Sequence, residues 1–159
     1  MDGDIRANGN DGGEGEMTNG VRHGACLCGA SRFTATPEND AHACHCGNCR
    51  KWSGGIFLSV HCGTSVVFDA NAPIVRYASS AWAERVFCGI CGSSLVWQMR
   101  DGSSQIVSIQ SFDDPRDFVI TSQIYVDHKP DNYALANRTE MLTEAEVIAK
   151  YTTTAEESV

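Results

Sequence analysis

At 159 residues, 42% of them hydrophobic, the chain is long and apolar enough to bury one core of ordinary size without disulfides. Its formal net charge of −8 argues against a protein that grips a phosphate backbone, since nucleic-acid binders carry a basic face. No apolar run approaches the roughly 20 residues that span a bilayer, and Met1 to Gly24 holds no apolar signal region, so the expectation is a cytoplasmic protein with reduced thiols, neither membrane-bound nor a secreted disulfide framework.

Residues 1–20 are rich in Gly, Asp, Asn and Glu with almost no large apolar side chain, so they cannot repay their ordering entropy and are predicted to be a disordered acidic, Gly-rich tail. A single domain is expected over residues 21–151. Short runs rich in Val, Ile and Phe predict strands at Ser31 to Thr36, Ile56 to His61, Thr64 to Phe68 and Ile74 to Ala78. More follow at Arg85 to Phe87, Ser94 to Met99, Gln105 to Gln110 and Phe118 to Val126. Turn chemistry such as Cys62-Gly63 and Asp101-Gly102 separates them, and Asp113 to Asp117, with Pro115 inside it, reads as a surface turn. Helix is sparse. Gly47 to Trp52 suits one helical turn, and Glu144 to Tyr151 suits a short C-terminal helix that Thr143 caps, Glu146 reciprocates, and Leu142 with Val147 staple. Residues 152–159 are expected to be a flexible C-terminal tail. The fold class is mainly β, built of antiparallel sheet.

Seven of the eight cysteines fall into three clusters, Cys26-x-Cys28, Cys44-x-Cys46-x-x-Cys49 and Cys88-x-x-Cys91. Spacings of one or two residues offer several thiolates to one ion from one turn of backbone, as zinc sites require. Tetrahedral zinc takes four sulfurs, so Cys26, Cys28, Cys88 and Cys91 form a closed set whose binding free energy becomes folding free energy, roughly 10 kcal/mol or more in zinc-finger peptides. Cys44, Cys46 and Cys49 are one ligand short. That second zinc keeps a position for water, substrate or another side chain, and an open position marks a working metal.

The runs Gly24-Ala25-Cys26-Leu27-Cys28-Gly29-Ala30, Cys44-His45-Cys46-Gly47-Asn48-Cys49-Arg50-Lys51 leading to Gly54, and Arg85 to Leu95 around Cys88-Gly89-Ile90-Cys91-Gly92 resemble the glutathione-dependent formaldehyde-activating enzyme family, which includes centromere protein V. The similarity runs from about Val21 to Tyr133. It implies a β-tent fold with two zinc ions, held by Cys26, Cys28, Cys88 and Cys91 and by Cys44, Cys46 and Cys49. It also implies a carbon-sulfur lyase that joins glutathione to formaldehyde as S-hydroxymethylglutathione. Ile124 to Pro130 is similar to the family's last core strand, but the aromatic residue usual just after that proline is displaced to Tyr133.

On this reading the partners are a small thiol such as glutathione and a small aldehyde, with no nucleic acid and no membrane. A thiol entering the vacant position loses its proton, and the thiolate adds to the aldehyde carbon. Arg50 and Lys51 would meet glutathione carboxylates, or merely offset the charge of the thiolates, and Arg85 suits either purpose. Ser53, Gly54 and Gly55 would let a ligand approach the backbone, or only turn the chain. His45, between two ligands, is expected to point away from the metal, with a general-base role as the alternative. His61 or Cys62 as a fourth ligand would close the site, against burial of Cys62 as a small apolar residue. Trp52 and Phe57 pack the core near the knuckle or line a pocket. His23, His42 and His128 are assigned to the surface. The competing function is a non-catalytic protein with two structural zinc ions. Chromatin association is disfavoured by the acidic charge. A methionine sulfoxide reductase is disfavoured because it needs two Cys-x-x-Cys pairs and a separate activated cysteine.

Overall fold

The computed structural model describes residues 19–156. Residues 1–18 of the expected N-terminal tail and residues 157–159 of the expected C-terminal tail lie outside the described residues. Among the described residues eleven strands form two sheets. The small one pairs β1 (Arg22–Ala25) with β2 (Arg32–Ala35) and β2 with β5 (Val67–Phe68). The large one comprises β3 (Asp40–Cys44), β4 (Phe57–His61), β6 (Ile74–Ala78), β7 (Ala83–Cys88), β8 (Ser94–Met99), β9 (Gln105–Ser108), β10 (Val119–Ile124) and β11 (Glu140–Leu142). Its spatial order is β11-β10-β3-β4-β9-β8-β7-β6. Helix α1 (Gly47–Ser53) follows β3, and α2 (Glu144–Glu156) closes the chain. The mainly β, largely antiparallel architecture is the one the sequence predicts.

The two faces of the large sheet differ, and the period-2 alternation of its strands decides what goes where. Val60 of β4, Val86 of β7 and Val107 of β9 point to one face. There they join Phe33, Ala35 and Phe112 in the main core between the sheets. Phe33 is 1% exposed, with its ring 5.4 Å from that of Phe112 and 5.8 Å from that of Phe68. Burying one such ring contributes about 2 to 3 kcal/mol. The alternate residues, His42 and Cys44 of β3, Phe57 and Ser59 of β4, Arg85 of β7 and Trp97 of β8, face a cleft on the other side. A register shift between Val86 and Phe87 leaves Leu95 unpaired, and both Leu95 and Val96 are fully buried in the main core. The bulge thus re-aims β8 just before Trp97.

Three strands escape the sequence reading. β1 and β11 are only four and three residues long. β3 reads Asp-Ala-His-Ala-Cys, with no β-branched residue, and is held in place by its two neighbours β10 and β4. β10 pairs in parallel with both β3 and β11, so the sheet is mixed at one edge. Gln105 to Gln110 is also only partly strand, since Ile109–Ser111 turn as a 3-10 helix.

Helix α2 starts with the expected capping box. Thr143 N–H donates to Glu146 Oε2 at 2.7 Å, and Glu146 N–H returns to Thr143 Oγ1 at 3.4 Å. Asp127 accepts from Glu144 N–H at 2.9 Å and His128 Nε2 meets Glu144 Oε2 at 2.9 Å, which fastens the first turn of α2 to the segment after β10. The helix runs to Glu156, so Thr152 to Glu156, the start of the expected C-terminal tail, are helical. None of the helices among the described residues is long and apolar enough to cross a membrane.

Candidate functional site

All eight cysteines are free thiols, and seven of them converge at two places. Cys26 and Cys28 follow β1, Cys88 ends β7, and Cys91 lies in the turn to β8; their four sulfurs lie within 4.8 Å of one another. The Cys26 and Cys28 sulfurs are 3.5 Å apart, and those of Cys28 and Cys88 are 3.9 Å apart. A tetrahedral ion with metal-sulfur bonds of about 2.3 Å sets its sulfurs about 3.8 Å apart, so this quartet already has the required dimensions. Backbone N–H groups stabilise the thiolates: Ser31 donates to Cys26 at 3.2 Å, and Ile90 and Cys91 donate to Cys88 at 3.4 and 3.5 Å. Ser93 Oγ accepts from Leu27 N–H at 3.0 Å and lies 3.2 Å from the Cys91 sulfur, joining the first knuckle to the third. The Ser93 hydroxyl and backbone hold the Cys91 thiol down at about 5.

The trio is assembled locally. His45 N–H pairs with Ile124 C=O at 3.0 Å, which ends β3, and Cys46 then takes an extended conformation as the N-cap of α1. Its sulfur accepts from Cys49 N–H at 3.3 Å. Cys44, Cys46 and Cys49 place their sulfurs within 4.8 Å of one another, with Cys44 and Cys49 buried. Three sulfurs this close share protons: hydrogen bonds from Cys44 and Cys49 hold Cys46 down to about 2, while the bond to Cys46 pushes Cys44 far above the usual thiol range. Only a cation lets all three be thiolates together. One cation is supplied by the protein. Arg85 is 5% exposed, both of its terminal nitrogens stand 3.8 Å from the Cys49 sulfur, and its guanidinium lies 4.9 Å from the centroid of the Trp52 ring.

Among the described residues no His, Cys, Asp or Glu joins the trio as a fourth donor. Cys62 is buried in the main core with its thiol toward Val60 C=O, and burial pushes that thiol up to about 12. His61 instead packs its ring 5.3 Å from that of His42, and its Nε2 lies 3.3 Å from the Tyr151 hydroxyl. His42 is not the surface residue expected. It is 8% exposed, its Nε2 meets Ser59 Oγ at 3.0 Å, and burial, then His61, push its pKa down to about 4. Its place on β3, a strand the sequence reading missed, accounts for the difference. His128 is also engaged, with Glu144 as described.

The trio opens on a cleft of about 1180 Å³. Phe57, Trp97, Ile106 and Ile124 line it beside the sulfurs, Trp82 stands at 58% exposure, and Ile148 and Tyr151 of α2 contribute another wall. Tyr125 also lines it. With φ at 56° it is the only non-glycine residue in the left-handed region among the described residues, a conformation that costs about 1 to 3 kcal/mol. Burial, then Cys44 and Cys46, raise its phenol above the ordinary value, so it is protonated at neutral pH.

The two rings at the knuckle do both things expected of them. Trp52 and Phe57 pack edge to face at 5.2 Å, and Phe57 lines the cleft. His45 is fully buried with both ring nitrogens engaged elsewhere, Nε2 with Gln123 Oε1 at 2.9 Å and Nδ1 with the Tyr133 hydroxyl at 2.7 Å. Gln123 Nε2 donates onward to Thr139 Oγ1 at 2.8 Å. The displaced Tyr133 therefore has a structural task. Arg50 does not line the cleft: its Nε donates to His45 C=O at 2.9 Å. Lys51 is exposed on α1, and Gly54, with φ at 74°, ends that helix; neither lines the cleft. Trp82, Trp97 and Tyr125 were not singled out from sequence. The i, i+2 spacing of Trp97 and Met99 is the only signal, and it does not say which face of the sheet carries the trio.

Comparison with known proteins gives the same picture. A crystal structure of a Rhodobacter sphaeroides protein has this fold, with a TM-score of 0.51 and 24% identity over 60% of this chain and 93% of its own. A protein of Schizosaccharomyces pombe described as an uncharacterized lyase is 34% identical over 127 residues, 79% of this chain and 93% of its own. The model of the glutathione-dependent formaldehyde-activating enzyme family matches residues 21–128, a span that contains all three cysteine clusters, the whole of α1 and the Arg85 that faces Cys49. With quartet and trio inside that span, the chain belongs to the glutathione-dependent formaldehyde-activating enzyme family.

Proposed function

We propose that the protein is a zinc-dependent carbon-sulfur lyase that makes and breaks the bond between a thiol sulfur and an aldehyde carbon at Cys44, Cys46 and Cys49, with a second zinc held structurally by Cys26, Cys28, Cys88 and Cys91. The family name supplies glutathione and formaldehyde as the reference pair. The observation that carries the reading is the trio itself: three sulfurs within 4.8 Å of one another, facing a cleft, with no fourth protein donor among the described residues. When bound there, zinc supplies the charge that favours an incoming sulfur as thiolate.

The chain's own residues do the rest. Arg85 balances the net negative charge left by three thiolates and a divalent ion, so that a fourth sulfur is not repelled. Phe57 and Trp97 keep bulk water from the sulfurs. In the addition the thiol gives up its proton, the sulfur forms the carbon-sulfur bond, the carbonyl π bond breaks, and the oxygen takes up a proton. His45 serves no base role, since both its ring nitrogens are hydrogen-bonded elsewhere. Of Arg50, Lys51 and Arg85 only Arg85 lines the cleft, and of the two tasks expected of these cations its contact with Cys49 supports charge compensation of the thiolates. The chemistry requires reduced thiols, which the cytoplasm maintains.

Metal stoichiometry and a cobalt-substituted sample test this. Cys46→Ser is expected to lose one equivalent of metal while keeping the wild-type circular dichroism, and glutathione is expected to change the visible spectrum of the cobalt protein. A spectrum left unchanged by glutathione and by every other thiol tried at millimolar concentration would leave the two-structural-zinc reading in its place.

A further inference from the structure

The cleft beside the trio offers a charged tripeptide few ionic partners and gives a one-carbon aldehyde far more room than it fills. A cleft of about 1180 Å³ exceeds the roughly 300 to 1,000 Å³ usual for drug-sized ligands, whereas formaldehyde needs none of that room. Glutathione at neutral pH carries two carboxylates and one ammonium. Of the cleft-lining residues Arg85 alone is a permanent cation, and it is committed to the Cys49 sulfur and the Trp52 ring. The one lining carboxylate, Glu144, is already bonded to His128. Two carboxylates seated here would find only neutral donors, such as the hydroxyls of Ser79, Ser80, Ser103 and Ser104 and the amide of Asn48, and no uncommitted cation to pair with.

The apolar side is well furnished. Trp97 packs against the Cys44, Cys49 and Phe57 cluster, Ile106 sits opposite it on β9, and Trp82 meets its ring edge to face at 5.9 Å. Phe57 and Ile124 continue the surface toward the sulfurs. Resting on the lyase reading above, we infer that the thiol this site takes is an uncharged apolar one, bearing an aryl or bulky alkyl group that lies on Trp97 and Trp82 while its sulfur reaches the trio. The aromatic faces give the area and the shape selection, and the neutral walls select against charge.

Cobalt-substituted protein titrated with benzyl mercaptan, glutathione and 2-mercaptoethanol tests the inference, because all three sulfurs sit on saturated carbon and differ little in acidity. Benzyl mercaptan is expected to change the cobalt spectrum at a concentration about tenfold or more below that needed for either of the others. Trp97→Ala and Trp82→Ser are each expected to shrink that preference severalfold; Trp82 is exposed, so its replacement leaves the fold intact even if Trp97→Ala does not. Glutathione acting at an equal or lower concentration, or a preference unmoved by both substitutions, overturns the substrate class and leaves the lyase reading standing. If no thiol alters the spectrum, the lyase reading fails and the inference with it.

Discussion

Both terminal nitrogens of Arg85 stand 3.8 Å from the sulfur of Cys49, so a strand on one side of the cleft neutralises a ligand offered by a helix on the other. Removing that cation leaves the thiolates with only the metal to balance them. Arg85→Met, which keeps most of the buried volume, is expected to weaken metal binding at the trio about 10- to 100-fold, the usual effect of losing an outer partner of a metal ligand. Competition with a chromophoric chelator measures it. Equal release rates from wild type and variant would show that the contact carries no charge compensation.

The quartet is expected to behave oppositely to the trio. Cys26 and Cys28 come from the small sheet's side and Cys88 and Cys91 from the large one, so an ion held by all four would join the two. Cys88→Ser should lower stability by about 5 kcal/mol, or about 15 °C in Tm, whereas Cys46→Ser should leave Tm nearly unchanged. Comparable losses in thermal melts of the two variants would argue against the division of labour.

Tyr133→Phe removes the hydroxyl that meets His45 Nδ1 at 2.7 Å. The imidazole nitrogen stays buried and loses its partner, at a cost of about 1 to 3 kcal/mol. Urea denaturation should show a lower midpoint with the same slope. A midpoint equal to wild type would mean that water reaches His45.

Gly24 sits on β1 against the main core, where a Cβ would overlap the Phe33 ring and come within 2.5 Å of the Ser111 carbonyl oxygen. Neither group has room to retreat, because Phe33 is 1% exposed and packed against Phe112. Gly24→Ala is therefore expected to cost about 1 to 3 kcal/mol by overpacking, despite the higher strand propensity of alanine. Chemical denaturation decides it, and a stability equal to wild type would show that β1 shifts freely.

Cys62 gives the fold a pH dependence of definite sign. Its thiol is raised from 9.0 to about 12 by burial, then by Glu38. The unfolded chain thus releases this proton at lower pH than the folded one, and the stability contributed is full below pH 9 and is lost as pH rises toward 12. The span corresponds to at most about 4 kcal/mol. Cys62→Ala should flatten the alkaline limb of a stability-pH curve relative to wild type. Parallel limbs for the two proteins would contradict the buried thiol. At neutral pH the native protein should also leave Cys62 unmodified by iodoacetamide.

The partition of cysteines was legible in the chain, because ligand spacing is local: Cys44-x-Cys46-x-x-Cys49 and the two paired knuckles carry their geometry within a turn of backbone. The strands rich in Val, Ile and Phe and the Thr143-Glu146 cap were legible for the same reason. What the tertiary structure alone decided is the company these groups keep. β3 exists because two neighbouring strands pair with it, His42 is buried because β3 exists, and Arg50 turns to His45 while Arg85 reaches the trio. Alternation along a strand sorts residues into two sets, but only the second sheet, laid over one face, determines which set becomes core and which is left to line a cleft beside the cysteine trio.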